Sequence, residues 1–311
     1  MQTVLPYKLL HDSVDVCHFT NSVAPLCTGC PTVLTIHDMT LWLYPGYHYR
    51  KRLLTMRPLI PVAARRARAI IAVSESVKAD IVRILGVPAD KVHVVYSAPS
   101  DQFRRLPPDA TTAVRRKYAL PEQFVLYVGT IEPRKNLVRL LEAFASLPNR
   151  PPALVIAGAR GWKDQQVFAA VERLGLQHSV HYLGYVPQEE LIVLYNLARV
   201  LAFPSLYEGC GLPVLEAMAC GTPVVTSRRG GLVEMAGDAA EFVDPTSVQS
   251  IANGLQRVLT DPYRQADLRE NGYAQVRRFS WRATAARTWQ IYAMSHLRVP
   301  LDQVQEHGSV R

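Results

Sequence analysis

Short apolar runs rich in valine and isoleucine alternate with longer amphipathic segments along nearly the whole chain. This is the pattern of a parallel sheet assembled from strand–helix–strand units, so the fold class is α/β. In the first third the pattern predicts strands near Val14–His18, Val33–His37, Ala69–Val73 and Val92–Tyr96, and a helix over Ser76–Leu85 capped by the Ser74 hydroxyl. Three prolines and little apolar content mark Ser97–Pro108 as a passage between domains. A second series then predicts strands at Phe124–Val128, Ala153–Ala157, Val180–Leu183, Val200–Phe203 and Pro223–Thr226. Its helices fall at Leu137–Leu147, Val167–Leu174, Ser247–Leu259, Arg264–Arg278 and Trp281–His296. The expected division is 1–105, 106–280, and a C-terminal helix and tail over 281–311, with 302–311 frayed.

Composition supports two domains: 311 residues, 49% hydrophobic and 20% charged, are many for one core. No run of about 18 uncharged apolar residues occurs, and the start lacks the regions of a signal peptide, so a cytoplasmic location is expected. Five cysteines give no disulfide framework. Cys27 and Cys30 form a CxxC without a second pair at zinc spacing, and are read as incidental. The net charge of +9 calls for an anionic partner and is densest over Arg50–Arg68. Nucleic acid is disfavoured, because no aromatic interleaving, zinc-finger or helix-turn-helix pattern accompanies the charge. An anionic membrane surface or a phosphorylated substrate fits better.

The strongest local signal is Phe203-Pro-Ser-Leu-Tyr-Glu-Gly-Cys-Gly-Leu-Pro-Val-Leu-Glu216, an apolar strand running through a glycine-rich turn into a helix. Gly209 and Gly211 allow close backbone approach, Pro213 suits a first helical turn, and the N–H groups of such a turn attract an anion such as a diphosphate. Glu208 and Glu216 flank the turn. One can face sugar hydroxyls and developing positive charge, the other a ribose; read singly, each is equally a surface or dipole-stabilising glutamate. The second signal, Val128-Gly-Thr-Ile-Glu-Pro-Arg-Lys-Asn136, places Arg134 and Lys135 at a helix start, where cations are disfavoured unless an anion is present.

Together these segments resemble the nucleotide-sugar site of GT-B glycosyltransferases, specifically the retaining family four (group 1) that includes bacterial mannosyltransferases. The resemblance covers nearly the whole chain and implies two Rossmann-like domains facing a cleft, the first incomplete at its N-terminus. No glycine-rich turn follows an opening strand here, so the chain reads as truncated at its front. The resemblance implies that Lys135 and Arg134 neutralise the donor diphosphate, that Glu208 contacts the transferred sugar and Glu216 the ribose, and that Gly211 and Leu212 cradle phosphate, with Gly129, Thr130, Gly209 and Cys210 lining the site. Some relatives carry an arginine where this chain has Thr130, which shifts the clamp to Arg134. Thr35-Ile-His-Asp-Met39 resembles the family's strand-end histidine, making His37 a catalytic candidate ahead of Asp38; a packed or capping His-Asp pair is the rival reading. Glu234, in the Arg228–Met235 turn with Gly230 and Gly231, is within possible reach of the sugar, and Tyr185 and Val186 of the base or the core. The aromatic residues of the last helix are expected to pack as it crosses back to the first domain.

The implied activity is transfer of a hexose such as mannose, with retention, from a GDP-linked sugar nucleotide to a glycan or lipid-linked acceptor. No metal or other cofactor is expected. Peripheral contact with the inner face of a membrane is compatible with the basic segment. A donor-binding remnant without turnover and a sugar-nucleotide epimerase are the competing readings.

Overall fold

The computed structural model describes residues 4–25, 27–148 and 153–297. The expected frayed tail, 302–311, lies outside them. The described residues form two units, one from the chain up to Ser97 and again from Ser280, the other from Ala98 to Phe279.

The first unit runs α1 (Val4–His11), β1 (Cys17–Phe19), β2 (Thr32–Ile36), α2 (Thr40–Leu43), α3 (Arg50–Arg66), β3 (Ala69–Ala72), α4 (Glu75–Leu85) and β4 (Val92–Val94). Among the described residues its sheet has the order β1-β2-β3-β4, and every pair is parallel. All residues of β2 and β3 are buried, as strands covered on both faces must be. β1 starts later than its apolar pattern predicts. Its first ladder bond runs from the Cys17 N–H to the carbonyl of Pro31, and Pro31 has no N–H with which to extend the ladder backwards. α4 buries Val77, Ile81 and Leu85, one per turn, and the Ser74 hydroxyl accepts the Val77 N–H at 3.2 Å as the sequence predicts.

The second unit continues with α5 (Thr112–Lys117), β5 (Phe124–Val128), α6 (Leu137–Ala145), β6 (Ala153–Ala157), α7 (Gln165–Arg173), β7 (Val180–Gly184), α8 (Gln188–Leu197), β8 (Val200–Phe203), α9 (Leu212–Ala219), β9 (Val224–Ser227), α10 (Leu232–Ala236), β10 (Glu241–Val243), α11 (Val248–Thr260) and α12 (Pro262–Val276). The sheet order among the described residues is β10-β9-β8-β5-β6-β7, all parallel. Strand order therefore reverses between β5 and β8. In a doubly wound sheet that reversal opens a crevice at the carboxyl ends of the two strands, where ligands bind.

The division falls after Ser97, earlier than the expected boundary after Arg105. The intervening residues are tied to the second unit: Phe103 is buried with its ring edge-on to Tyr195, and Asn196 bonds both the Leu106 N–H and the Arg104 carbonyl. The chain then returns to the first unit as α13 (Trp281–Leu297). Ile291 and Met294 bury themselves among Val33, Ala69, Ile71 and Val95, and the Thr284 hydroxyl donates to the Tyr96 carbonyl at 2.6 Å. Each such side chain contributes roughly 1.5–3 kcal/mol on full burial. Of the aromatic residues expected to pack, Tyr292 does, bonding His18 Nδ1 at 2.6 Å. Trp281 and Trp289 instead remain 51% and 64% exposed. Among the described residues, no helix is long and apolar enough to cross a membrane.

Candidate functional site

The segments after β5 and β8 meet at the switch point, and their charged side chains meet with them. A short 3-10 turn, Pro133–Lys135, carries Arg134 and Lys135, ahead of α6 rather than at its start. Glu208 comes from the loop between β8 and α9. Its two carboxylate oxygens are divided between the cations: Lys135 Nζ lies 2.7 Å from Oε1 and Arg134 Nη1 2.7 Å from Oε2. Arg134 also donates through Nη1 to the Tyr207 carbonyl and through Nη2 to Glu132 Oε1 at 2.5 Å. Lys135 additionally sits 4.9 Å from the centre of the Phe203 ring. The anion that two cations here required is thus supplied by the chain's own carboxylates.

Those carboxylates are shifted in opposite directions. Burial works to raise the Glu208 carboxyl, but the charges and hydrogen bonds of Lys135 and Arg134 outweigh it and hold it below the usual carboxylate range. Glu132, only 4% exposed, is pushed upward by burial, with the Glu208 charge adding to the effect and Arg134 and Lys135 only partly opposing it.

Backbone geometry fixes this cluster. Asn136 adopts a left-handed conformation, φ 64°, which asparagine tolerates better than most residues. Its buried Nδ2 donates to the carbonyls of Pro204 and Pro245 at 3.0 and 2.7 Å, tying the two site segments together. The Leu206 N–H donates to the Arg134 carbonyl, and the Ser227 hydroxyl to the Ser205 carbonyl. Gly211, with φ 106°, turns the chain into α9, while Gly209 has no such conformation. The Gly230-Gly231 turn lies against the same loop, with the Gly231 N–H donating to the Glu208 carbonyl at 2.8 Å. α9 is the next element after β8, across the loop that carries Glu208, so its N-terminus and first residues, Leu212 and Pro213, sit at the same edge of the sheet.

Glu216 lies within α9, where one carboxylate oxygen accepts the buried Tyr195 hydroxyl at 2.8 Å; burial raises its carboxyl despite that bond. Cys210 contacts the Met235 sulfur at 3.6 Å, and Thr130 is exposed. Gly129 passes close under the Tyr127 hydroxyl and the Lys135 side chain. Lys135, Arg134, Glu208, Gly129, Gly211 and the start of α9 are therefore brought together, and Glu216 stands on the helix that opens from them.

Residues outside this cluster are placed differently. His37 is exposed at the end of β2 in the first unit, and its Nε2, facing the Thr20 carbonyl at 2.8 Å, carries the proton of that bond. Asp38 accepts both the Thr40 N–H and its hydroxyl, a capping role for α2. Tyr185 is 78% exposed, whereas Val186 is core. Glu234 is in the first turn of α10. Among the described residues, no three His, Cys, Asp or Glu side chains converge as a metal would require, Cys27 and Cys30 included.

Two parallel α/β units, with a switch-point cluster of two cations at one of them, are the architecture of a transferase of the GT-B type. The chain belongs to the glycosyl transferases group 1 family, whose model matches residues 111–275, and the model for glycosyltransferase family 4 matches 4–98. It is a glycosyltransferase. It is 38% identical over 268 residues to O-antigen chain mannosyltransferase B of Escherichia coli, covering 84% of this chain and 70% of that protein. Among solved structures it is similar to sucrose-phosphate synthase from Thermosynechococcus elongatus (26% identity, TM-score 0.76, 92% of this chain and 75% of that one). The Anabaena HepE structure in complex with UDP and glucose shares the fold at 22% identity (TM-score 0.79, 92% and 80%).

Proposed function

We propose that the second unit binds a nucleoside-diphosphate sugar, with the diphosphate at Arg134, Lys135 and the N-terminus of α9, the transferred sugar at Glu208 and the ribose at Glu216. The hexose, which we take to be mannose from a GDP-linked donor, passes with retention to a glycan or lipid-linked acceptor. The observation that carries this reading is the convergence of Arg134 and Lys135 on one buried carboxylate at the switch point. The choice of mannose rests on the 38% identical mannosyltransferase. Departure of the diphosphate is then assisted electrostatically. Arg134, Lys135 and the helix dipole stabilise its growing charge, and that work needs no metal. Glu208, held ionised, faces the positive charge that develops at the anomeric carbon.

Calorimetric titration with GDP and UDP tests the donor site. One Glu216 oxygen is held by Tyr195, which fixes the carboxylate to accept ribose hydroxyls with the other. Since hydrogen bonds to charged groups are worth about 1.5–3 kcal/mol, Glu216→Ala is expected to weaken the preferred nucleotide at least about tenfold. Unchanged affinity would remove Glu216 from the site.

We also propose that α3 docks on the cytoplasmic face of an anionic membrane. Arg50, Lys51 and Arg52 occupy its first turn with no acidic residue among them, where the helix dipole makes them costly without an external anion. Tyr49 and Leu54 beside them are 59% and 78% exposed, and Tyr49, the three cations, Thr55 and Met56 line a hollow of about 630 Å³. At roughly 1 kcal/mol per cation near such a surface, changing all three to serine is expected to reduce binding to phosphatidylglycerol-containing vesicles on the order of 100-fold. Equal sedimentation of both proteins with these vesicles would exclude this face.

A further inference from the structure

Arg134 serves two carboxylates, whereas Lys135 serves one. Glu208 therefore has two cations, and Glu132 has a share in Arg134 at 2.5 Å. Glu132 is 4% exposed, so water gives it little compensation. The groups facing it are Arg134 and Lys135 from its own turn, Glu208 from the β8–α9 loop and Tyr127 from β5. Two cations and two ionised carboxylates balance one another within the cluster. A sugar nucleotide adds two negative charges to it and draws on the same two cations.

We propose that Glu132 is a positioning residue that holds Arg134 in place and takes up one proton from solvent when a nucleoside-diphosphate sugar binds. This rests on the reading above that the diphosphate docks on Arg134 and Lys135. A like charge within about 4–6 Å disfavours an ionised carboxyl, and so does having to share a cationic partner with that charge; binding does both to Glu132. Glu208 is the poorer proton acceptor, because Lys135 and Arg134 already hold its carboxyl low, while burial has moved that of Glu132 up. The proton comes from the buffer and sits on the Glu132 carboxyl oxygen not bonded to Arg134. Glu132 Oε1 remains able to accept from Arg134, so the guanidinium keeps its place while the competing negative charge disappears.

GDP-mannose and UDP-glucose are the probes, since both of their phosphates are esterified and take no proton near neutral pH. Calorimetric titration of the full chain over a pH range of about 5 to about 8, in buffers of different ionisation enthalpy, is expected to show uptake of up to one proton once pH exceeds the raised value of the Glu132 carboxyl, with affinity falling from there by tenfold per pH unit at most. Glu132→Gln, which keeps the acceptor oxygen but has no proton to gain, is expected to bind without uptake and with affinity constant within about twofold over that range. Glu132→Asp is expected to retain the pH dependence. A merely structural Glu132 would lower affinity equally at every pH. Binding by the unsubstituted chain without proton uptake, or undiminished uptake in Glu132→Gln, overturns the proposal. If neither sugar nucleotide binds the folded chain at any pH, the donor-site reading itself fails and this proposal with it.

Discussion

Lys135→Ala is expected to lower kcat/KM for transfer from the sugar nucleotide by about 10²–10³-fold, the range found when one preorganised electrostatic donor is removed from a transition state. The ammonium is held on one side by Glu208 at 2.7 Å and on the other by the face of Phe203, so its position is set before any ligand arrives. The substitution also leaves Glu208 buried with Arg134 as its remaining partner, and the Glu208 carboxyl moves back up. This second effect gives an independent reading in acid. A carboxylate held below its ordinary value of 4.5 contributes stability fully present above that value and lost as pH falls through its depressed folded value. In Lys135→Ala that loss begins at a higher pH, which thermal melting against pH would register. Lys135→Arg is not expected to restore transfer, because a planar guanidinium replaces a compact point charge between a ring and a carboxylate. Turnover unaffected by a chelator is expected alongside. Loss of turnover on chelation would assign the leaving-group charge to a metal, and a Lys135→Ala enzyme of near-normal kcat/KM would remove the lysine from the mechanism.

The parts of the molecule legible in the sequence are those whose signal is local. β5, β6 and β8 are continuous buried runs, and they fall where the apolar pattern predicts. α8 is not visible in that way: its buried residues run consecutively from Ile192 to Tyr195, which hides the 3.6-residue period. β10 is only three residues long, too short for any period. At the site, the cations and the two flanking glutamates are legible from residue type and spacing. Their partners are not. Glu132 is only one letter in a charged turn until its burial and its bond to Arg134 are known, and Tyr195 gives no hint that it orients a carboxylate on another helix. Asn136 reads as the end of a motif, although its side chain joins three segments of the sheet edge across 68 and 109 residues of chain. Such roles depend on contacts between distant segments, which no local pattern encodes. Gly230 belongs to the same class.

Replacing Gly230 with alanine is expected to destabilise the protein by about 2–4 kcal/mol and to depress transfer by more than the lost stability explains. Two effects add. The backbone at Gly230 has φ 60°, a left-handed conformation in which a side chain costs roughly 1–2 kcal/mol. In addition, the new Cβ would fall 2.2 Å from the Glu208 carbonyl oxygen and 3.2 Å from the Tyr207 ring, so one of the two peptides must move. Gly175→Ala separates these terms, because Gly175 has φ 64° and no heavy atom within 4 Å of the position a Cβ would take. It is expected to show the conformational cost alone. The excess in Gly230→Ala belongs to the contact with Glu208. Since the Glu208 carbonyl accepts the Gly231 N–H, relief of the clash displaces the peptide that carries the Glu208 carboxylate. A displacement near 1 Å at a reacting group lowers the rate by on the order of 100-fold. Urea titration and steady-state transfer on both variants decide the matter. If Gly230→Ala loses no more stability than Gly175→Ala and keeps its kcat, the glycine turn does not position Glu208, and the close approach is one the loop accommodates without consequence for the chemistry.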